Sequence, residues 1–153
     1  MRLRDRRVMV ATSAGGHWVQ MRRILPAFEG CDLVYAGVGP TLDADLAPAR
    51  YHRIRNVSRT DPFGFFVIVW QLARIMRRER PDVVVTTGAA PGLMALAIGK
   101  LLAGSRTVWI DSIANTERLS LSGRLARPVA DARLTQWEHL SRPGGPQFWG
   151  AVL

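Results

Sequence analysis

The sequence has one cysteine, Cys31, in 153 residues. That excludes an intrachain disulfide and a cysteine-based zinc site, and it fits a reducing compartment. Lys100 is the one lysine, so nearly all of the positive charge is arginine. The three histidines, His17, His52 and His139, stand at no metal-ligand spacing, and no metal site is expected. Long apolar runs are missing as well. The longest, residues 63–70, is far short of the ~20 residues that a membrane-crossing helix needs, and residues 93–103 are broken by Gly99 and Lys100. Residues 1–7 read as a basic tail, with no secretory hydrophobic segment between them and the first strand. The expected location is therefore cytoplasmic. Repeats and low-complexity blocks are absent.

What is present is a composition that is 48% hydrophobic with a net charge of +9. The length suits one domain, spanning residues 1–153, with a real core, and the composition excludes a disordered chain. Arginine favours planar, bidentate partners such as phosphate and carboxylate. The excess is read either as codon bias of a GC-rich genome or as a requirement for nucleic acid, anionic lipid or phosphorylated substrate. Only the placement of the arginines separates these.

The chain alternates strands and helices. Residues 8–12 form a continuous apolar strand that runs into a glycine turn, Ser13-Ala14-Gly15-Gly16-His17, and a helical pattern starts at Trp18. Residues 31–36 read as a second strand, residues 41–47 as a short helix before Pro48, and residues 51–57 as a polar–apolar alternating edge strand. Asp61 or Thr60 caps a helix with Pro62 in its first turn; it ends near Glu79, and Pro81 forbids continuation. Residues 81–87 form a buried strand, residues 88–92 a second small-residue loop, and residues 93–102 a helix. A fifth strand at 106–110 ends at Asp111. A polar loop at 112–120, a helix around 123–126 and a sixth strand at 131–137 follow, and residues 143–153 are a loop-like apolar tail. This order predicts an α/β fold: a Rossmann-like parallel sheet with helices on both faces and right-handed crossovers.

In such sheets ligands bind beyond the C-terminal strand ends, at the switch point in strand order. Three segments converge there in the order 3-2-1-4-5-6. They are residues 13–17 after strand 1, 88–92 after strand 4, and 111–115 after strand 5. None matches G-x-G-x-x-G, a P-loop or G-x-S-x-G, so a dinucleotide site, an NTPase and a serine hydrolase are unsupported. His17 has a reference pKa of about 6.5, which suits a general base, or it bonds only to backbone. Asp111 orients His17 or binds substrate hydroxyls, or is a turn carboxylate. Asn115 carries the same two readings, and the second loop is a ligand wall or a plain turn.

The helix after Asp61 is apolar around almost its whole circumference and ends in Arg74, Arg77 and Arg78. Phe63, Phe66 and Trp70 on such a helix call for a cover, as do Phe148 and Trp149 in the tail. A membrane surface with anionic headgroups fits, a partner chain fits, and a core helix with a basic C-terminus is the plainer reading. No recognition helix or aromatic-interleaved basic strand points to nucleic acid.

Three segments carry a resemblance: Ser13-Ala14-Gly15-Gly16-His17, Thr87-Gly88-Ala89-Ala90-Pro91-Gly92 and Trp109-Ile110-Asp111-Ser112. More specific is the run from Arg118-Leu119-Ser120-Leu121-Ser122-Gly123-Arg124-Leu125 through Pro128-Val129-Ala130-Asp131 to Gln136-Trp137-Glu138. Together they resemble the asparagine-linked-glycosylation fourteen family, whose bacterial members are the PssD/CpsF-type exopolysaccharide and capsule proteins. The first loop is also similar to the Gly-Gly-His loop of MurG-type N-acetylglucosaminyltransferases.

The resemblance implies a single, N-terminal-type half of a GT-B fold. It implies the acceptor-binding, membrane-associated subunit of a two-chain glycosyltransferase. The acceptor is a lipid-linked diphosphate sugar at the inner face of the membrane. No cofactor is expected on this chain; the UDP-sugar donor is expected on the partner, a donor-binding half. His17 and Asp111 are the implied catalytic residues. Ser13, Gly15, Gly16, Gly88, Ala89, Pro91, Gly92, Ser112 and Asn115 are implied to shape the diphosphate pocket. Asp111 stands where many relatives carry Glu, which shortens its reach. Rival readings are a non-catalytic membrane scaffold that activates a separate transferase, and an autonomous nucleotide-binding protein.

Overall fold

The computed structural model describes residues 6–39, 50–57 and 61–152. The strands are β1 (Arg7–Ser13), β2 (Asp32–Val38), β3 (Arg50–Arg53), β4 (Val83–Thr86), β5 (Arg106–Ile110), β6 (Ala132–Thr135) and β7 (Gln147–Phe148). They form one sheet in the order β3-β2-β1-β4-β5-β6-β7, and each neighbouring pair is parallel. The helices are α1 (Gly16–Ile24), α2 (Pro62–Glu79), α3 (Ala89–Ile98) and α4 (Leu121–Leu125).

The two faces of the sheet follow from the period of two along each strand. Val8 and Val10 of β1 join Tyr35, Val85 and Ile110 under Trp18 and Met21 of α1. Met9 and Ala11 point the other way, onto a larger cluster with Ile68, Leu72 and Met76 of α2 and Ala95 and Leu96 of α3. Both faces are covered, so the strands read as continuous apolar runs. The predicted fold class and the order 3-2-1-4-5-6 are both observed.

Several boundaries differ from the sequence reading, each for a local reason. The tail is not all loop: β7 pairs with β6 at Leu134–Gln147 and Thr135–Phe148. Two residues are too few to display an alternation. Residues 89–92 are not a loop but the first turn of α3. The chain turns at Gly88, with φ at +136°, and at Ala89, with φ at +66°. After Ile98 the helix continues as a π-helical turn over Gly99–Ala103. The third strand ends at Arg53; the Ile54 amide still reaches the Gly37 carbonyl, but the Arg55 amide bonds the Gln71 side chain. The expected helix at 41–47 lies outside the described residues, as does most of the N-terminal tail. Within that tail, Arg6 and Arg7 are tied into the sheet.

Those two arginines anchor the N-terminal strand ends. The Arg7 side chain donates to Asp32 at 2.7 Å and to the Glu79 carbonyl at 2.6 Å, and its amide donates to Asp82 at 2.9 Å. Arg6 donates to Asp82 at 3.0 Å. Arg50 pairs with both Asp32 and buried Glu79. Much of the arginine at this end is therefore structural. The Arg7 hydrogen bond, with Arg50 beside it, holds the Asp32 carboxyl below the usual aspartate value. The Arg7 amide, then Arg6, does the same for Asp82. Carboxyls depressed in the folded state stabilise it fully above their unfolded pKa, and that stability is lost as pH falls through the folded values. Urea denaturation is expected to show stability falling from about pH 5 downward. Asp32→Asn should lower stability at pH 7 and flatten the acid dependence; an unchanged acid dependence would contradict this pairing.

Candidate functional site

The C-terminal strand ends meet α1 and α3 at a cleft of about 250 Å³. It is lined by His17, Gly88, Ala89, Asp111, Ser112, Asn115, Ser120, Leu121 and Ser122. Six of these are sequence-predicted site residues: His17, Gly88, Ala89, Asp111, Ser112 and Asn115. Ser13 sits half-buried at the end of β1, and Gly15 and Gly16 are exposed on the crown beside the cleft. Pro91 lies in the first turn of α3. Gly92 faces the sheet instead: a Cβ there would lie 2.1 Å from Thr86 Oγ1, so this glycine lets the helix close on β4.

His17 is held by two reciprocal bonds. Its Nδ1 lies 3.0 Å from the Thr87 carbonyl, and the Thr87 hydroxyl donates to the His17 carbonyl at 2.8 Å. A carbonyl only accepts, so Nδ1 carries the proton and a neutral ring presents Nε2 as an acceptor. Gly88 leaves room for the ring, since a Cβ at that position would lie 2.6 Å from His17 Cε1. The strained φ of Ala89 falls at the same point, beside the cleft.

The two helix ends that flank the cleft are alike. Neither α1, capped by Gly15, nor α3, capped by Gly88, has a side-chain cap bond or an acidic residue in its first turn. No carboxylate within either first turn offsets the positive end of the helix dipole. Such an end takes an anion.

Asp111 is buried, with 1% exposure, and its carboxylate is fully engaged. Oδ1 accepts from Trp109 Nε1 at 3.0 Å and from Ser120 Oγ at 2.7 Å. Oδ2 accepts from Asn115 Nδ2 and the Ser120 amide, each at 3.0 Å. The geometry thus gives Asp111 the task of folding the 112–120 loop over the cleft. It makes no hydrogen bond to His17. Ser120 Oγ in turn caps α4 by accepting from the Gly123 amide at 2.9 Å. Gly123 is required there: a Cβ would lie 2.4 Å from Asp111 Oδ1.

Sequence reasoning missed a buried amide pair behind the loop. Gln20, one turn after His17 on α1, donates to Ser112 Oγ at 3.0 Å and accepts from the Ile113 amide at 3.1 Å. Gln136 Nε2 donates to Gln20 Oε1 at 2.8 Å and to the Asp111 carbonyl at 2.9 Å. Gln136 Oε1 accepts from the Val152 amide at 3.0 Å, which ties the tail to the same network. The Gln136-Trp137-Glu138 run of the resemblance held the one signal for it. Ser120, Leu121 and Ser122 were likewise present in that run.

The remaining candidates lie away from the cleft. Phe63, Phe66 and Trp70 of α2 are 71%, 77% and 60% exposed. Arg74 stacks over Trp70 at 5.5 Å from the ring centre, and Arg77 and Arg78 are exposed. The opposite side of α2 is buried through Ile68, Leu72, Ile75 and Met76, so the helix is apolar on both sides and only one of them is covered. Phe148 is half-buried in β7, whereas Trp149 is 71% exposed. No described helix is long and apolar enough to cross a membrane. Among the described residues no group of acids, cysteines and histidines could hold a metal ion.

Comparison with known proteins agrees with the fold and the family. The family described as "Oligosaccharide biosynthesis protein Alg14 like" matches residues 44–152. The chain is 30% identical to the UDP-N-acetylglucosamine transferase subunit ALG14 of Eremothecium gossypii, over 97% of this chain and 80% of that protein. It is 27% identical to the Nitrosomonas europaea UDP-N-acetylglucosamine--N-acetylmuramyl-(pentapeptide) pyrophosphoryl-undecaprenol N-acetylglucosamine transferase, over 84% of this chain and 43% of that one. Its fold superimposes on MurG of Acinetobacter baumannii with a TM-score of 0.74 at 15% identity, over 94% of this chain and 45% of that structure. The chain thus has the Rossmann-like form of one half of a GT-B enzyme, and spans under half of each of these two longer proteins. It belongs to the Alg14-like family of oligosaccharide biosynthesis proteins.

Proposed function

We propose that this chain is the acceptor-binding subunit of a two-chain glycosyltransferase. Its partner, a donor-binding GT-B half, supplies a UDP-sugar, and the acceptor is a lipid-linked diphosphate sugar. The supporting observation is the cleft itself: two helix N-termini with no acid in their first turns flank a histidine whose Nε2 is left as an acceptor. The acceptor's diphosphate sits against the helix ends. The reacting hydroxyl faces His17. As its oxygen bonds to the sugar's anomeric carbon, the bond from that carbon to UDP breaks, and the hydroxyl proton passes to His17 Nε2. Attack from the side opposite the leaving group gives inversion. Asp111, Gln20 and Gln136 act as positioning residues for the wall of the cleft.

The sugar named for the ALG14 relatives, N-acetylglucosamine, is the first donor to test. The resemblance to bacterial PssD/CpsF-type proteins directs the product to exopolysaccharide, capsule or glycolipid. Transfer from UDP-N-acetylglucosamine to a lipid-linked diphosphate sugar is to be measured with this chain, with the donor half, and with both. Only the pair is expected to turn over, and His17→Ala should lower kcat by about 10²–10⁴-fold. Full activity from this chain alone sinks the two-chain reading. Wild-type turnover with His17→Ala leaves a scaffold in its place.

The proposed location is the inner, cytoplasmic membrane face, and the exposed stripe on α2 supports it. Phe63, Phe66 and Trp70 would dip into the interface while Arg74, Arg77 and Arg78 meet anionic headgroups. In flotation with anionic vesicles, Phe66→Ser with Trp70→Ser should lose most of the bound fraction. Unchanged flotation would assign this face to a protein partner.

A further inference from the structure

At the N-terminal strand ends Arg6, Arg7 and Arg50 each pair with a carboxylate. At the other end Arg118, Arg124 and Arg142 line a cavity of about 200 Å³. Among the described residues, none of the three has an ion pair or a side-chain hydrogen bond. Glu117 is the one acid in the lining; the apolar part is Leu119, Pro146 and buried Leu140. Three arginines against one carboxylate give the lining a net positive charge that no side chain of the protein pairs.

The backbone under these arginines is fixed. Asp111 holds the Ser120 amide and hydroxyl, and the Arg124 amide donates to the Ser120 carbonyl at 3.0 Å. Arg142 heads a closed turn: its amide donates to the Pro146 carbonyl at 3.0 Å, and its carbonyl accepts from the Gly145 amide at 2.9 Å. With the backbone fixed, the freedom lost on binding is that of the side-chain rotamers, and a planar guanidinium fork loses less of it per hydrogen bond formed with phosphate oxygens. The segment 117–124 also separates two sites. Ser120, Leu121 and Ser122 wall the His17 cleft, while Glu117, Arg118, Leu119 and Arg124 wall this cavity.

We propose that the cavity lined by Arg118, Arg124 and Arg142 binds a diphosphate group. Its compact shape and net charge suit a small, multiply charged anion more than an extended acidic peptide. Two substrates of the reaction proposed above carry this group, the lipid-linked acceptor and the nucleoside diphosphate donor. Naming those sources rests on that reading; binding of diphosphate does not.

The test uses the full chain, labelled with 15N, titrated with inorganic pyrophosphate while the arginine Nε–H resonances are followed. Saturable shifts at Arg118, Arg124 and Arg142 are expected, at lower concentration than for orthophosphate. In Arg118→Gln with Arg142→Gln, the dissociation constant read at Arg124 should rise about 10-fold or more, because two charge-assisted contacts are gone. The Asp111 network is untouched, so the thermal midpoint should hold. In the assembled enzyme the same variant should raise one KM. A raised acceptor KM identifies the lipid diphosphate and moves that group from the helix ends to this cavity, and a raised UDP-sugar KM identifies the donor. Equal pyrophosphate affinity in variant and wild type overturns the site. So does a variant that binds pyrophosphate normally and fails only to assemble with the donor half, which would make the cavity a seat for acidic partner residues. Saturable binding in a chain that transfers no sugar with any donor half supports the cavity and rejects the proposed function.

Discussion

The site depends on one exchange between α1 and β4. His17 Nδ1–H donates a hydrogen bond to the Thr87 carbonyl, and the Thr87 hydroxyl donates one to the His17 carbonyl. This pair joins the first turn of one helix to the end of the neighbouring strand, across the point where strand order reverses. It sets the ring's position and its tautomer together. The requirement then spreads outward. The ring needs space, so residue 88 lacks a side chain. The chain must leave the strand sharply, so Gly88 and Ala89 take positive φ angles. The helix that starts there must close on Thr86, so Gly92 is bare as well.

The facing wall is organised by a second centre, the Asp111 carboxylate. Its four accepted bonds fold residues 112–120 back and start α4 through Ser120. A buried carboxylate with this many donors is a structural knot. Behind it the Gln20–Gln136 pair connects α1, the loop and the tail. His17 and the loop therefore hang from the same helix. Displacing the tail would be felt at Ser112 without any contact between the tail and the cleft.

The architecture was legible because it rests on burial patterns that the sequence displays. Continuous apolar strands, Pro62, Pro81 and the glycine turns set the element order, and strand order followed from general topology. The convergence of His17, Gly88 and Asp111 followed from the same rule. What was hidden has common causes. β7 is two residues long and lies in a Pro- and Gly-rich stretch. The start of α3 is masked by a run of small residues whose φ angles composition does not reveal. The role of Asp111 depends on partners two, four and nine residues away that only the folded loop brings together. The charge excess divides by place: Arg6, Arg7 and Arg50 are paired at one end of the sheet, whereas Arg118, Arg124 and Arg142 are unpaired at the other. A count could not make that division.

The central claim is that the fold presents His17 Nε2 as a proton acceptor at the mouth of an anion-binding cleft. The direct measurement is the 15N chemical shifts of the His17 ring in the full chain, taken in its neutral form. The account predicts a protonated Nδ1 and an unprotonated Nε2, a state that Thr87→Ala weakens only in part, since the accepting carbonyl remains. A ring that is mainly protonated at Nε2 would contradict it.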